Sequence, residues 1–280
     1  MTSYHVRSNS LPSRPHPIIP KFDEQLCRLR TSEATSSLAS TSISSKLNGL
    51  QDLLDCVDGL LLLPLNQQAL SEEKHQKWVD QTLDGSLRLL DVCNIAKDAL
   101  LQTKESTQEL QSVIRRRRSG VTELPSEVKK FLTSRKLVKK TIQKAIIDLK
   151  AVEISPFNKD NETTAIISML RELQAITHAI FKSLLSFISG PKSQSKSFFS
   201  TIMRPNRIEE ESQLNEFTRI DASLNLFVGQ KMKKSDDFLV ENAQNLEELA
   251  SCIQDIEGGL ESLFRRLIKT RVSLLNILSH

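Results

Sequence analysis

The sequence predicts an all-α protein, an elongated bundle of long antiparallel helices with coiled-coil-like packing. Three observations carry that expectation. Aliphatic residues recur at steps of three and four along most of the chain, which is the spacing of one helix face. Glycine is scarce, 8 of 280 residues, against roughly 7% in average usage. Sheet folds need glycine for hairpins and bulges, and phosphate-binding loops need it for close backbone approach, so few tight turns are expected. Pro64, Gly120, Pro156 and Gly190-Pro191 stand where periodic stretches stop.

Residues 1–21 read as a flexible tail. Pro12, Pro15, Pro17 and Pro20 fix φ and remove donors, which favours an extended, solvated chain. Residues 22–280 read as a single helical bundle domain with a connector around 190–207. Helical character starts near Phe22. From about Ser36 to Leu63, the residues Ile43, Leu47, Leu50, Leu54, Val57 and Leu61 form a packing seam. Pro64 is expected to end it. A second helix is expected from about Glu72 to Arg118, with Val79, Leu83, Leu87 and Leu90 on its early inner face.

The third helix is expected near Pro125, with Thr122 or Ser126 as cap and Ser155-Pro156 as stop. Its stripe is Val128, Phe131, Val138, Ile142, Ala145, Leu149 and Val152. The fourth, about Glu162 to Ser189, is apolar over most of its circumference and belongs at the centre of a bundle. Gly190-Pro191 ends it. A moderately periodic helix is expected over 208–229. The last helix is the strongest signal: Leu246, Leu249, Ile253, Ile256, Leu260, Leu263, Leu267, Thr270, Leu274 and Ile277 step three and four throughout. Gly258-Gly259 marks a kink or a close helix contact within it. This seam packs either against helices of its own chain, the favoured reading, or against a second copy.

Charge is unevenly spread. Arg115 to Lys150 holds 12 Lys/Arg against 3 Asp/Glu, a net of +9, while Arg207 to Glu257 holds 5 against 12, a net of −7. Opposite faces that complement each other inside one bundle account for this most simply. A basic surface for an acidic partner or an anionic membrane is the sharper alternative. The run Arg115, Arg116, Arg117 and Arg118 is the densest part of the basic stretch and a candidate phosphate-binding patch. Nucleic acid is a disfavoured partner, because one Trp and one Tyr leave little aromatic surface for stacking bases.

No catalytic constellation is visible, and the chain reads as a non-enzyme without cofactor or metal. Cys27, Cys56, Cys93 and Cys252 form no CxxC or Cys/His cluster and read as reduced thiols of a cytoplasmic protein. His75 and His178 fall on separate helices. Phosphate-binding, zinc-protease and nucleophile-elbow motifs are missing. The first 20 residues lack the apolar stretch of a secretory leader, and no stretch is apolar and long enough for a membrane span.

The tail carries the most specific short motif, Arg7-Ser8-Asn9-Ser10-Leu11-Pro12. It resembles the RSxSxP pattern that 14-3-3 proteins recognise when the second serine is phosphorylated. Arg7 suits a basophilic kinase acting on Ser10. The phosphate would add about −1.5 to −2 charges for a partner's arginines to chelate. Pro12 redirects the chain out of a groove. The expected partners are therefore proteins, a 14-3-3 protein at phosphorylated Ser10 among them, with an anionic membrane surface and a homo-oligomer as further candidates.

Four stretches together resemble a known family: Tyr4 to Pro17, Trp78-Val79-Asp80, Leu89 to Cys93, and Leu263 to Leu278. They are similar to the plant BYPASS-related family of uncharacterised helical proteins, a domain-of-unknown-function family, over nearly the whole chain. The resemblance implies a land-plant source, an all-α fold and a link to root and shoot development. The family has no established catalytic residues, so it assigns no residue a role. On this reading the chain is a helical scaffold or regulatory adaptor whose tail is phospho-regulated. The alternative is a peripheral membrane-associated protein using the basic face 115–150.

Overall fold

The computed structural model describes residues 16–34, 39–117, 124–151, 164–190, 214–229 and 236–279. Among them are eight α-helices and no strand: α1 (Ile18–Ala34), α2 (Ser40–Leu61), α3 (Pro64–Ser71), α4 (Glu73–Arg117), α5 (Leu124–Ala151), α6 (Ala165–Ser189), α7 (Glu216–Gly229) and α8 (Asp236–Leu278). At 1.5 Å per residue, the 45-residue α4 and 43-residue α8 are each about 65 Å long. Every helix contributes to one apolar core.

The aliphatic seams face inward as their spacing requires. All ten seam positions of α8 are buried, Thr270 among them, and so are all six of α2. Of the Gly258-Gly259 pair, Gly259 makes a close contact, and the helix runs through both without a break. A Cβ on Gly259 would lie 3.1 Å from Leu47 Cδ1, and the Gln51 side chain donates to Gly259 O at 3.1 Å. On α6, residues from Ile166 to Ile188 are buried around most of the circumference, although Ala175 is exposed.

Several boundaries differ from the expectation. Helical geometry begins at Ile18, ahead of Phe22, with Pro20 in the first turn where its missing N–H costs nothing. Pro64 separates two helices by opening the second: α2 stops at Leu61 and Pro64 is the first residue of α3. Asn66 and Gln67 then donate their side-chain amides back to Leu60 O and Leu61 O, satisfying carbonyls at the end of α2. Ser126 does not cap α5, because that helix already starts at Leu124. Leu87 is 48% exposed and lies off the core face of α4. Thr122, Ser155-Pro156 and the connector from 191 lie outside the described residues.

Interhelical side-chain pairs fix the directions. Thr103–Arg135, Ser106–Ser134 and Glu109–Lys130 run α4 against α5, and Lys97–Glu261 and Lys104–Glu257 run α4 against α8. These neighbours are antiparallel. Helices α2 and α8 are instead parallel, since Gln51, Asp55 and Asp58 meet Ser262, Arg266 and Thr270 in rising order. The two lie far apart in the chain, so no short loop forces them to alternate.

Candidate functional site

Arg135 is the largest side chain buried to under 2% exposure, and it lies where α4, α5, α6 and α7 converge. Its spacing from Val128, Phe131, Val138 and Ile142 places it on the inward face of α5. The guanidinium donates from Nε and Nη2 to the two oxygens of Asp221 at 3.1 and 3.2 Å. Nη2 also donates to Ile188 O at 2.9 Å, and Nη1 donates to Thr103 Oγ1 at 3.3 Å. The Phe217 ring lies 5.1 Å from the guanidinium carbon. Lys139 Nζ stands 2.9 Å from Asp221 Oδ2, so two cations share one carboxylate. The C-terminal carbonyls of α6 supply part of the remaining compensation, since that end of a helix carries partial negative charge.

The same corner holds the start of α7. Asn215 donates to Phe187 O at 2.9 Å and accepts from the Thr218 N–H at 2.8 Å, so it caps α7 while fastening it to α6. Gly190 closes α6 at φ 73°, a left-handed conformation that glycine adopts freely.

Two smaller polar ties follow the same pattern. Buried Asp58 of α2 accepts from Thr270 Oγ1 at 2.6 Å, and its second oxygen is 3.1 Å from Lys269 Nζ. Lys46, only 4% exposed, stands 2.8 Å from Glu33 Oε1, while Ser183 donates to the other oxygen of Glu33 at 2.9 Å. These tie α2 to α8, and α1 to α2 and α6. Each acidic group meets partners on another helix. The arrangement clamps helices together and leaves these carboxylates engaged.

Three of the four cysteine thiols are muted by burial. Cys56, Cys93 and Cys252 are buried, and desolvation raises all three thiol pKa values, Cys93 to about 12. They are protonated near neutral pH and therefore poor nucleophiles. Cys27 is exposed on α1. His75 Nδ1 is 2.7 Å from Ala69 O and joins α3 to α4. Burial lowers the His178 pKa, and its Nε2 has no hydrogen-bond partner among the described residues. No group of three or more His, Cys, Asp or Glu among the described residues is placed to hold a metal ion.

The outer surface of α5 is different in kind. Lys129, Thr133, Lys136, Lys140, Lys144 and Ile147 step by three and four and are all exposed, a file about 27 Å long. Leu137 and Ile147 stand among these lysines at 55% and 65% exposure. Arg115 and Arg116 are exposed near the end of α4, Arg117 is its last residue, and Arg118 lies outside the described residues. Arg7, Ser8, Ser10 and Pro12 also lie outside them. The interior cluster at Arg135 escaped the sequence reading because its acidic partner is 86 residues away. The one available signal was an arginine at a core position of a helical stripe.

No helix among the described residues is long and apolar enough to cross a membrane. The architecture defines an all-helical bundle protein whose interior polar groups bind helix to helix. The chain belongs to the BYPASS-related family of plant proteins, whose family model, described as Protein BPS1, matches residues 46–277. The match runs from α2 into the last turn of α8 and leaves out the serine-proline tail and α1. Neither a curated protein nor a solved structure matches the chain.

Proposed function

We propose that the protein is a non-enzymatic helical adaptor serving root and shoot development, with a phospho-regulated N-terminal tail. The observation that carries this reading is where the charges go. Arg135, Lys139, Asp221, Asp58 and Lys46 are committed to interhelical ties, which makes the bundle a frame. The developmental role rests on family membership. The tail precedes the first helix and carries the Arg7-Ser8-Asn9-Ser10-Leu11-Pro12 motif. A Ser10-phosphorylated full chain is expected to capture a 14-3-3 protein in a pull-down, and Ser10→Ala to abolish capture after kinase treatment. Equal retention of the phosphorylated chain and the alanine variant would remove the tail from the proposal.

A second reading is favoured by the lysine file on α5. A row of cations with Leu137 and Ile147 exposed among them suits the headgroup region of an anionic bilayer. On this reading the chain is a peripheral membrane protein. Cosedimentation with phosphatidylserine vesicles separates the two, since the adaptor alone has no reason to sediment.

A further inference from the structure

We propose that two copies of this chain dock through the outer face of the α4–α8 pair. That face carries exposed aliphatic side chains the bundle does not use: Leu87 and Leu101 on α4, at 48% and 50% exposure, and Ile268, Val272 and Leu275 on α8, at 40%, 47% and 40%. The three on α8 follow i, i+4, i+7 spacing and form one stripe. The pair is antiparallel and held side by side by Lys97–Glu261 and Lys104–Glu257, so its outer side is a shallow two-helix face.

The occupant is identified by charge. Along α4 the exposed residues Asp84, Asp91, Asp98 and Glu105 recur every seven positions, one step away from Leu87 and Leu101. Along α8, the stretch Ser262–Leu278 carries Arg265, Arg266, Lys269 and Arg271 and no acid. Arg265 and Lys269 are 74% and 68% exposed at the side chain although each already has a partner in its own chain, Glu261 at 3.2 Å and Asp58 at 3.1 Å, so a second carboxylate reaches them from the solvent side. One edge of the face is thus acidic and the other basic, with aliphatic side chains between them. Such a face is complementary to itself.

A two-fold axis parallel to the helices lays α4 of one copy over α8 of the other. The alternative axis, across the helices, would stack α4 on α4 and set acid against acid. The levels also match. Arg271 donates to Ser86 Oγ and Lys97 pairs with Glu261, which puts Asp91 within half a turn of the level of Arg265 and Leu87 between the levels of Ile268 and Val272. In the parallel two-fold arrangement, Asp91 meets Arg265 of the other copy twice. Leu87 meets the stripe at Ile268 and Val272. A two-fold contact of this kind is isologous and closes on itself, so it ends at the dimer.

Sedimentation equilibrium of the full chain tests this. The wild type is expected at twice its 31.6 kDa mass, with dissociation promoted by salt. Val272→Asp is expected to give monomer. Asp91→Lys alone and Arg265→Glu alone are each expected to weaken the dimer by about tenfold or more, since each sets like charges together. Mixing the two charge-reversed variants restores opposite charges at both contacts and is expected to recover the dimer. A variant that merely failed to fold could not be rescued in this way, and circular dichroism checks the helices of each. A wild type that stays monomeric, a Val272→Asp chain that stays dimeric, or a mixture that fails to reassociate overturns the proposal.

Discussion

Replacing Asp221 with alanine leaves Arg135 buried beneath four helices without its carboxylate. Lys139 would lose its partner too, but it is a third exposed and can turn to solvent. Removing one member of a buried ion pair costs about 3–5 kcal/mol, mostly as the desolvation penalty of the charge left behind. Urea unfolding of Asp221→Ala should therefore show a fall of that order in stability. The double replacement Arg135→Met with Asp221→Leu should lose much less, because no unpaired charge remains inside. A fall below about 1 kcal/mol for the single variant would show that Arg135 is compensated elsewhere, at Ile188 O, Thr103 and the Phe217 ring. His178 adds a pH dependence at the same scale. Burial lowers its folded pKa below the usual 6.5, so the unfolded chain takes up a proton first as pH falls. Its contribution is intact above pH 6.5 and declines below it until the lowered folded value is reached. His178→Gln should flatten unfolding free energy over that window; an unchanged slope would mean that another group titrates.

Helix by helix, the apolar seams were legible because each is a local pattern repeated over many turns. The ten seam positions of α8 and the six of α2 could be read from spacing alone, and burial follows them without exception. Leu87 shows where spacing runs short. It lies three residues before Leu90 and four after Leu83, yet the inward face of α4 passes through Leu83, Leu90 and Cys93 and leaves Leu87 outside. Buried Thr103 and Thr107 were hidden for a related reason: each hydroxyl donates to the carbonyl four residues earlier, at 2.7 and 2.8 Å, so a polar residue fits an apolar face. Arg135 needed knowledge of α7. The glycines divide in the same way, and a pair of alanine substitutions should resolve them. At Gly190 the left-handed φ of 73° strains any L residue, and a Cβ would stand 2.9 Å from Thr218 Oγ1 where α7 begins. Gly190→Ala should destabilise by about 1–2 kcal/mol. At Gly258 nothing lies within 4 Å of an added Cβ, and the residue is interior to α8. Gly258→Ala should stabilise by about 0.5–1 kcal/mol. Thermal or urea unfolding showing the same sign for both would contradict this division.

Among the described residues, the two oppositely charged stretches are only partly spent on each other. Arg135 and Lys139 of α5 neutralise against Asp221 of α7, as internal complementarity requires. The outward lysines of α5 face away from that contact and remain exposed in a row. The acidic residues of the 207–257 stretch that are paired within the bundle include Glu248 with Arg219 and Glu257 with Lys104, so their partners come from α7 and α4 rather than from the α5 file. The basic row therefore dominates the field on its side, and its length suits a surface better than a small ligand. Each lysine near an anionic leaflet contributes about 1 kcal/mol. If the row meets phosphatidylserine vesicles, changing Lys136, Lys140 and Lys144 together to glutamine should weaken partitioning about a hundredfold, and Leu137→Ser with Ile147→Ser should weaken it further. Raising ionic strength to about 1 M shortens the Debye length to about 3 Å and should release the wild-type chain. Vesicle binding that survives both the triple substitution and high salt would move the contact away from α5, while the absence of binding by the wild type would leave the adaptor reading alone.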